Sequence, residues 1–126
     1  MEIKNIDKAP GALGPYSHAV IHSDLIFCSG QVALDPETMK LVGDDIEAQT
    51  LQVMKNIETV LKGLGSSLQN IIKTTIFIDN MEDFPKLNKV YGDFLQGHKP
   101  ARSTVEVAKL PLNALVEIEC IAAKTP

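Results

Sequence analysis

The chain has 126 residues, of which 44% are hydrophobic and 22% charged, enough apolar mass for one buried core and too much for a disordered segment. A net charge of −4 with a pI of about 5.3 disfavours nucleic acid as a partner, because phosphate contacts need a basic stripe and the chain carries none. Two cysteines, Cys28 and Cys120, stand in apolar runs without a C-x-x-C spacing, so buried reduced thiols are the expectation and a disulfide between them the alternative.

Residues 1–8 alternate charged and apolar side chains and lack the basic start and apolar stretch of a secretory leader. No apolar run approaches the ~20 residues that span a bilayer. A cytosolic chain with no membrane contact and a single domain over residues 1–126 is expected. After the turn-rich stretch at residues 10–15, residues 16–22 and 25–34 read as strands, separated by Ser23 and Asp24. A turn follows at residues 35–38. From residue 45 to 62 the period becomes helical, with Leu51, Met54, Ile57, Leu61 and Leu64 on one face. Asp44 or Asp45 suits its start, and Gly63 and Gly65 its end.

Residues 71–78 are dense in β-branched side chains and read as a strand. Helical spacing returns over residues 81–96, where Phe84, Leu87, Tyr91 and Phe94 share a stripe and Pro85 falls in the first turn. Two further strands, residues 102–108 and 115–123, flank a loop at residues 109–113. The order ββαβαββ predicts an α+β fold, a mixed sheet with both helices on one face. The other face is then either wet or buried against another subunit.

In the penultimate strand Arg102, Thr104 and Glu106 share a face; in the last, Glu117 and Glu119 do. Were these strands neighbours, guanidinium and carboxylates would line one surface. That surface is either a set of solvated cross-strand ion pairs or an anion site, in which Arg supplies a planar fork and Glu moves a proton. Tyr16 follows the rigid Gly14-Pro15 pair and is either core or a ligand contact. Gly30, between Ser29 and Gln31, marks a β-bulge or a close approach of backbone to ligand. Asn88 falls on the apolar stripe of the second helix, where a buried amide needs a partner, with a backbone group as the plain choice. His18 and His22, roughly 13 Å apart along a strand, make a poor metal pair. Neither a P-loop, nor G-x-G-x-x-G, nor G-x-S-x-G occurs, so no metal and no nucleotide cofactor is expected.

Taken together these segments resemble the Rid (YjgF) family, and its RidA branch most. The resemblance runs nearly end to end. It rests on residues 9–17 (APGALGPYS), on Ser29-Gly30-Gln31, and most of all on residues 100–111 (PARSTVEVAKLP) followed by 115–119 (LVEIE). It implies a chorismate-mutase-like fold assembled as a homotrimer with a barrel-like centre and clefts between subunits. It implies hydrolysis of 2-iminobutanoate and 2-iminopropanoate to 2-keto acids and ammonia, without a cofactor. Arg102 then corresponds to the carboxylate-binding arginine and Glu117 to the glutamate that activates or positions water. Tyr16, Ser29, Gly30, Asn88 and, less directly, Gln31 correspond to the rest of the cleft, with Tyr16 supplied by the subunit neighbouring Arg102. Thr104 stands where RidA proteins commonly carry Cys, which keeps a hydrogen-bonding group and removes thiol chemistry. His18 stands where relatives often carry Gln. Two other functions stay open at this point: an endoribonuclease using Arg102 with Lys99 or Lys109, and a non-catalytic keto-acid-binding trimer that regulates a partner.

Overall fold

The computed structural model describes residues 1–125. Six strands form one sheet: β1 (Glu2–Lys4), β2 (Ala19–His22), β3 (Leu25–Gln31), β4 (Ile71–Ile78), β5 (Ala101–Glu106) and β6 (Val116–Ala123). Their spatial order is β1-β2-β3-β6-β4-β5, antiparallel throughout except for the parallel pair β4–β5. Helices α1 (Ile46–Gly63) and α2 (Phe84–Leu95) pack on the same face, where Val53, Met54, Ile57, Leu61, Leu87 and Leu95 join Ile26, Ile76, Ile118 and Ala122 in one core. The expected α+β fold, with a mixed sheet and both helices on one side, is therefore what the chain adopts.

Local differences have local causes. The order gains β1, whose three residues are too few for alternation to mark in the sequence. Residues 16–18 stay outside β2, and β3 stops at Gln31, where its pairing with β6 slips at a bulge. Asp45, not Asp44, caps α1, accepting from the Ala48 N–H at 2.7 Å. Leu51 does not join the buried stripe of α1: it is 38% exposed, and Thr50 and Val53 turn inward instead. The second helical segment opens with a short 3-10 turn at Met81–Asp83 before α2 proper. Gln96 and Gly97, both at positive φ, then reverse the chain into β5. His98 Nε2 lies 2.7 Å from the Ile71 carbonyl oxygen and ties that reversal to the start of β4.

The uncovered face of the sheet is not uniformly polar. Phe27 (42% exposed) and Val105 (44%) stand on it beside the half-buried Phe77 and Ile121. No helix among the described residues is long and apolar enough to cross a membrane.

Candidate active site

The parallel pairing of β5 with β4 makes β5 an edge strand. Register places Arg102 opposite Thr74, Thr104 opposite Ile76 and Glu106 opposite Ile78. All three partners are fully buried beneath the helices, so the side chains of Arg102, Thr104 and Glu106 turn toward α2. On α2, Phe84, Asn88 and Tyr91 recur at the four- and three-residue spacing that brings side chains to one face. The Arg102 guanidinium lies over both rings, with Cζ 5.1 Å from the Phe84 centroid and 5.2 Å from that of Tyr91. Its Nη1 donates to Asn88 Oδ1 at 2.7 Å. Arg102 remains exposed, and Nη1 is its one bonded nitrogen among the described residues, which leaves the rest of the fork for a ligand.

Asn88 therefore bonds Arg102 and not the backbone group expected for an amide on an apolar stripe. Two residues on from the arginine and on the same face of the strand, Thr104 Oγ1 is buried and lacks a hydrogen-bond partner among the described residues. Glu106 is committed elsewhere: its Oε1 accepts from the Met81 N–H at 2.8 Å at the entrance to α2.

Glu117 comes from β6, which does not neighbour β5: β4 runs between them. In β4, Thr74 pairs with both Arg102 and Cys120, whereas Phe77 pairs with both Val105 and Glu117. An odd offset separates the two rows, so Arg102 and Glu117 project from opposite faces of the sheet. The arrangement considered from sequence, one surface carrying the guanidinium and the carboxylates together, is thus corrected. The inserted parallel strand and its register are long-range facts that the last two segments do not encode.

On the open face, Glu117 is half-buried beside Gly30. A Cβ on Gly30 would stand 2.6 Å from Glu117 Oε2, so the missing side chain makes the space the carboxylate occupies. The glycine serves both of its expected uses: it sits in the bulge between β3 and β6, and a group approaches its backbone closely. That group is a carboxylate of the chain itself. Burial pushes the Glu117 carboxyl above its ordinary range, and the negative charge of Glu119 adds to the shift.

The remaining expected site residues divide between these two groups. The Ser29 hydroxyl donates to the Ser17 carbonyl at 2.6 Å, which fixes the chain leading from Tyr16 against the bulge. Tyr16 is 51% exposed, its hydroxyl accepting weakly from the Leu13 N–H at 3.4 Å, so it is not a core residue. Gln31, paired with Ile118, is buried on the helix side and turned away from Glu117. His18 is structural. It is 4% exposed, its Nδ1 accepts from the Ile6 N–H at 2.8 Å, and Nε2 lies 2.6 Å from the Pro10 carbonyl oxygen. Those partners require the neutral ring protonated on Nε2. Cys28 and Cys120 are free thiols facing each other across the β3–β6 pair. Sequence reasoning missed Phe84, Tyr91 and Thr74 as parts of the arginine's surroundings. The spacing of residues 84, 88 and 91 was visible, but it reads equally as a core stripe.

Comparison with known families and structures agrees with this fold. Residues 6–124 match the family model described as Endoribonuclease L-PSP. The chloroplastic Reactive Intermediate Deaminase A of Arabidopsis thaliana is 47% identical over 121 residues, covering 96% of this chain; the chain spans 65% of that protein's length. Among solved structures, a protein of the conserved Rid family from Yersinia pestis superposes with a TM-score of 0.94 at 47% identity, covering 97% of this chain and 98% of that one. Escherichia coli TdcF, solved with bound serine, superposes with a TM-score of 0.93 at 36% identity, covering 98% of each chain.

Proposed function

The chain belongs to the Endoribonuclease L-PSP family, the Rid proteins, in which it is RidA-like, and from that premise we propose that it hydrolyses small 2-imino acids, such as 2-iminobutanoate and 2-iminopropanoate, to 2-keto acids and ammonia. The observation that carries this reading is the Arg102 guanidinium, clamped through one nitrogen by Asn88 and seated on two rings, with its remaining donors free. Such a fork suits a carboxylate in two parallel bonds. The unpartnered Thr104 hydroxyl beside it offers one further hydrogen bond. That serine is bound in the TdcF structure fits a cleft for small amino-acid-like molecules.

Because Arg102 and Glu117 lie on opposite faces of one sheet, the reading builds each site from two copies of the chain. One copy contributes Arg102, Asn88 and Thr104; its neighbour contributes Tyr16, Ser29, Gly30 and Glu117. The apolar side chains on the open face, Phe27 and Val105 among them, give the second copy a surface to cover, and a closed homotrimer supplies three such sites.

In the reaction, Arg102 fixes the substrate carboxylate and so presents one face of the neighbouring C=N carbon. Water hydrogen-bonded to Glu117 adds to that carbon. The carboxyl group of Glu117 passes a proton to nitrogen, and the C–N bond of the carbinolamine breaks to release ammonia and the keto acid. A carboxyl held above its ordinary range is closer to balance between proton donor and acceptor near neutral pH. Imines hydrolyse unaided, so orientation and one acid–base group, worth about 10² to 10⁴-fold, suffice without a metal. An endoribonuclease is less well supported, since the chain has a net charge of −4 and lacks the basic stripe that phosphate contacts need.

The test generates 2-iminobutanoate in place with threonine dehydratase, traps it with semicarbazide, and measures how far the protein suppresses the semicarbazone. Suppression by the wild type and not by Arg102→Ala supports the reading; equal suppression by both overturns it.

A further inference from the structure

Arg102 heads a row of side chains that crosses the sheet on its helix side: Arg102 of β5, Thr74 of β4, Cys120 of β6 and Cys28 of β3. Thr74 is completely buried, and its Oγ1 lies 2.7 Å from the Tyr91 hydroxyl, itself on a residue only 6% exposed. Each hydroxyl is the other's partner. The same Tyr91 ring carries the Arg102 guanidinium on its face. The pair is thus linked to the arginine through a ring, and both of its residues are buried.

A phenylalanine would present the same face to the guanidinium, and a valine would fill the space of Thr74 with no polar atom to satisfy. Replacing both partners of a buried hydrogen bond by apolar groups of like shape is close to neutral for stability. What the pair adds is direction. A ring held at its far end keeps one tilt, whereas a ring held by packing alone rocks. Arg102 stands on an exposed edge strand and has several rotatable bonds. Its fork keeps one plane only if what it rests on keeps one plane.

We propose that Thr74 is a positioning residue for Arg102: its hydroxyl pins the Tyr91 ring, and the pinned ring sets the plane in which the guanidinium meets a carboxylate. The inference rests on the carboxylate-binding reading above. Tyr91 acts here as a neutral ring, since burial raises its hydroxyl above the ordinary range.

The experiment uses the full chain and 2-oxobutanoate, the stable keto-acid counterpart of the substrate, as probe. Thr74→Val combined with Tyr91→Phe removes both hydroxyls and leaves neither orphaned, and Thr74→Ser keeps the bond. The expected result is about 10-fold weaker 2-oxobutanoate binding in the double variant and wild-type binding in Thr74→Ser, with both folded. In an Arg102→Gln background the double substitution is expected to change nothing further. Equal weakening with and without Arg102, or no weakening at all, overturns the proposal. A second readout separates it from the parent reading. Nitrogen-15 spectra of the Arg102 side chain should show resolved Nη signals, from hindered rotation, that merge in the double variant. If the wild type binds no 2-oxobutanoate, the carboxylate reading falls, and the spectra decide the positioning alone: merging supports it, persistence overturns it.

Discussion

Replacing Arg102 by Ala removes the one guanidinium in the sequence and leaves Asn88 Oδ1 without that partner. Turnover of 2-iminobutanoate is expected to fall by about 10² to 10³-fold, with KM rising. Arg102→Lys should recover little of that, because a point charge neither stacks on Phe84 and Tyr91 nor binds in two parallel bonds. Gly30→Ala is the complementary test on the other face. The three atoms nearest its new methyl all belong to the flexible Glu117 side chain, so the fold should tolerate it. The Glu117 carboxylate must move, and a loss of roughly 10-fold or more in kcat with an unchanged melting temperature is expected. Glu117 itself predicts a pH signature. A carboxyl whose pKa rises on folding binds its proton more tightly in the folded protein, so it weighs against folding once it is ionised and not before. Glu117→Gln should therefore melt above the wild type at about pH 8, with the gain shrinking as pH falls through the raised value and gone at about pH 4. An undiminished gain at the acid end would contradict the burial-driven shift.

Elements set where those residues can point. The N-terminal segment is held by the pairing of β1 with β2 and by His18, which holds Ile6 and Pro10 through both ring nitrogens while its own N–H donates to Asn5 Oδ1 at 3.1 Å. His18→Leu should cost about 2–3 kcal/mol in urea unfolding, and because Tyr16 rides on the same segment, it should raise KM more than it lowers kcat. The elements themselves were largely legible. Residues 71–78 are dense in β-branched side chains, residues 46–63 keep a helical period, and both survive in the fold because one shared core buries a face of each. What stayed illegible is pairing. Nothing in residues 101–123 indicates that β4 slips between β5 and β6, and the register of that insertion puts Glu117 on the face opposite Arg102. The candidate site residues were likewise legible one at a time, through motif resemblance. The resemblance set only Tyr16 apart from Arg102; the separation of Glu117 from Arg102 was not legible, because it depends on register counted across three strands. Gly30 shows the same limit: a glycine in a strand announces a close approach, but not that the approaching group is Glu117.

For the molecule as a whole, the proposed two-copy site makes a direct claim about mixing. Arg102→Ala and Glu117→Gln chains, each inactive alone, should regain activity when unfolded and refolded together, since about a quarter of the sites in a random 1:1 assembly combine an intact Arg102 with an intact Glu117. A mixture as inactive as its components would place both residues of each site in one chain and exclude the composite arrangement. The opposed faces have a further thermodynamic consequence. A ligand whose carboxylate lies on one copy and whose reacting carbon lies against the next is also a fastener between them. By linkage, whatever factor assembly contributes to ligand affinity, the ligand returns to the affinity of the copies for one another. On the proposed reading, catalytic capacity then varies with the concentration of the chain itself: dilution is expected to lower specific activity, and the proposed keto-acid product to resist that loss by holding the copies together.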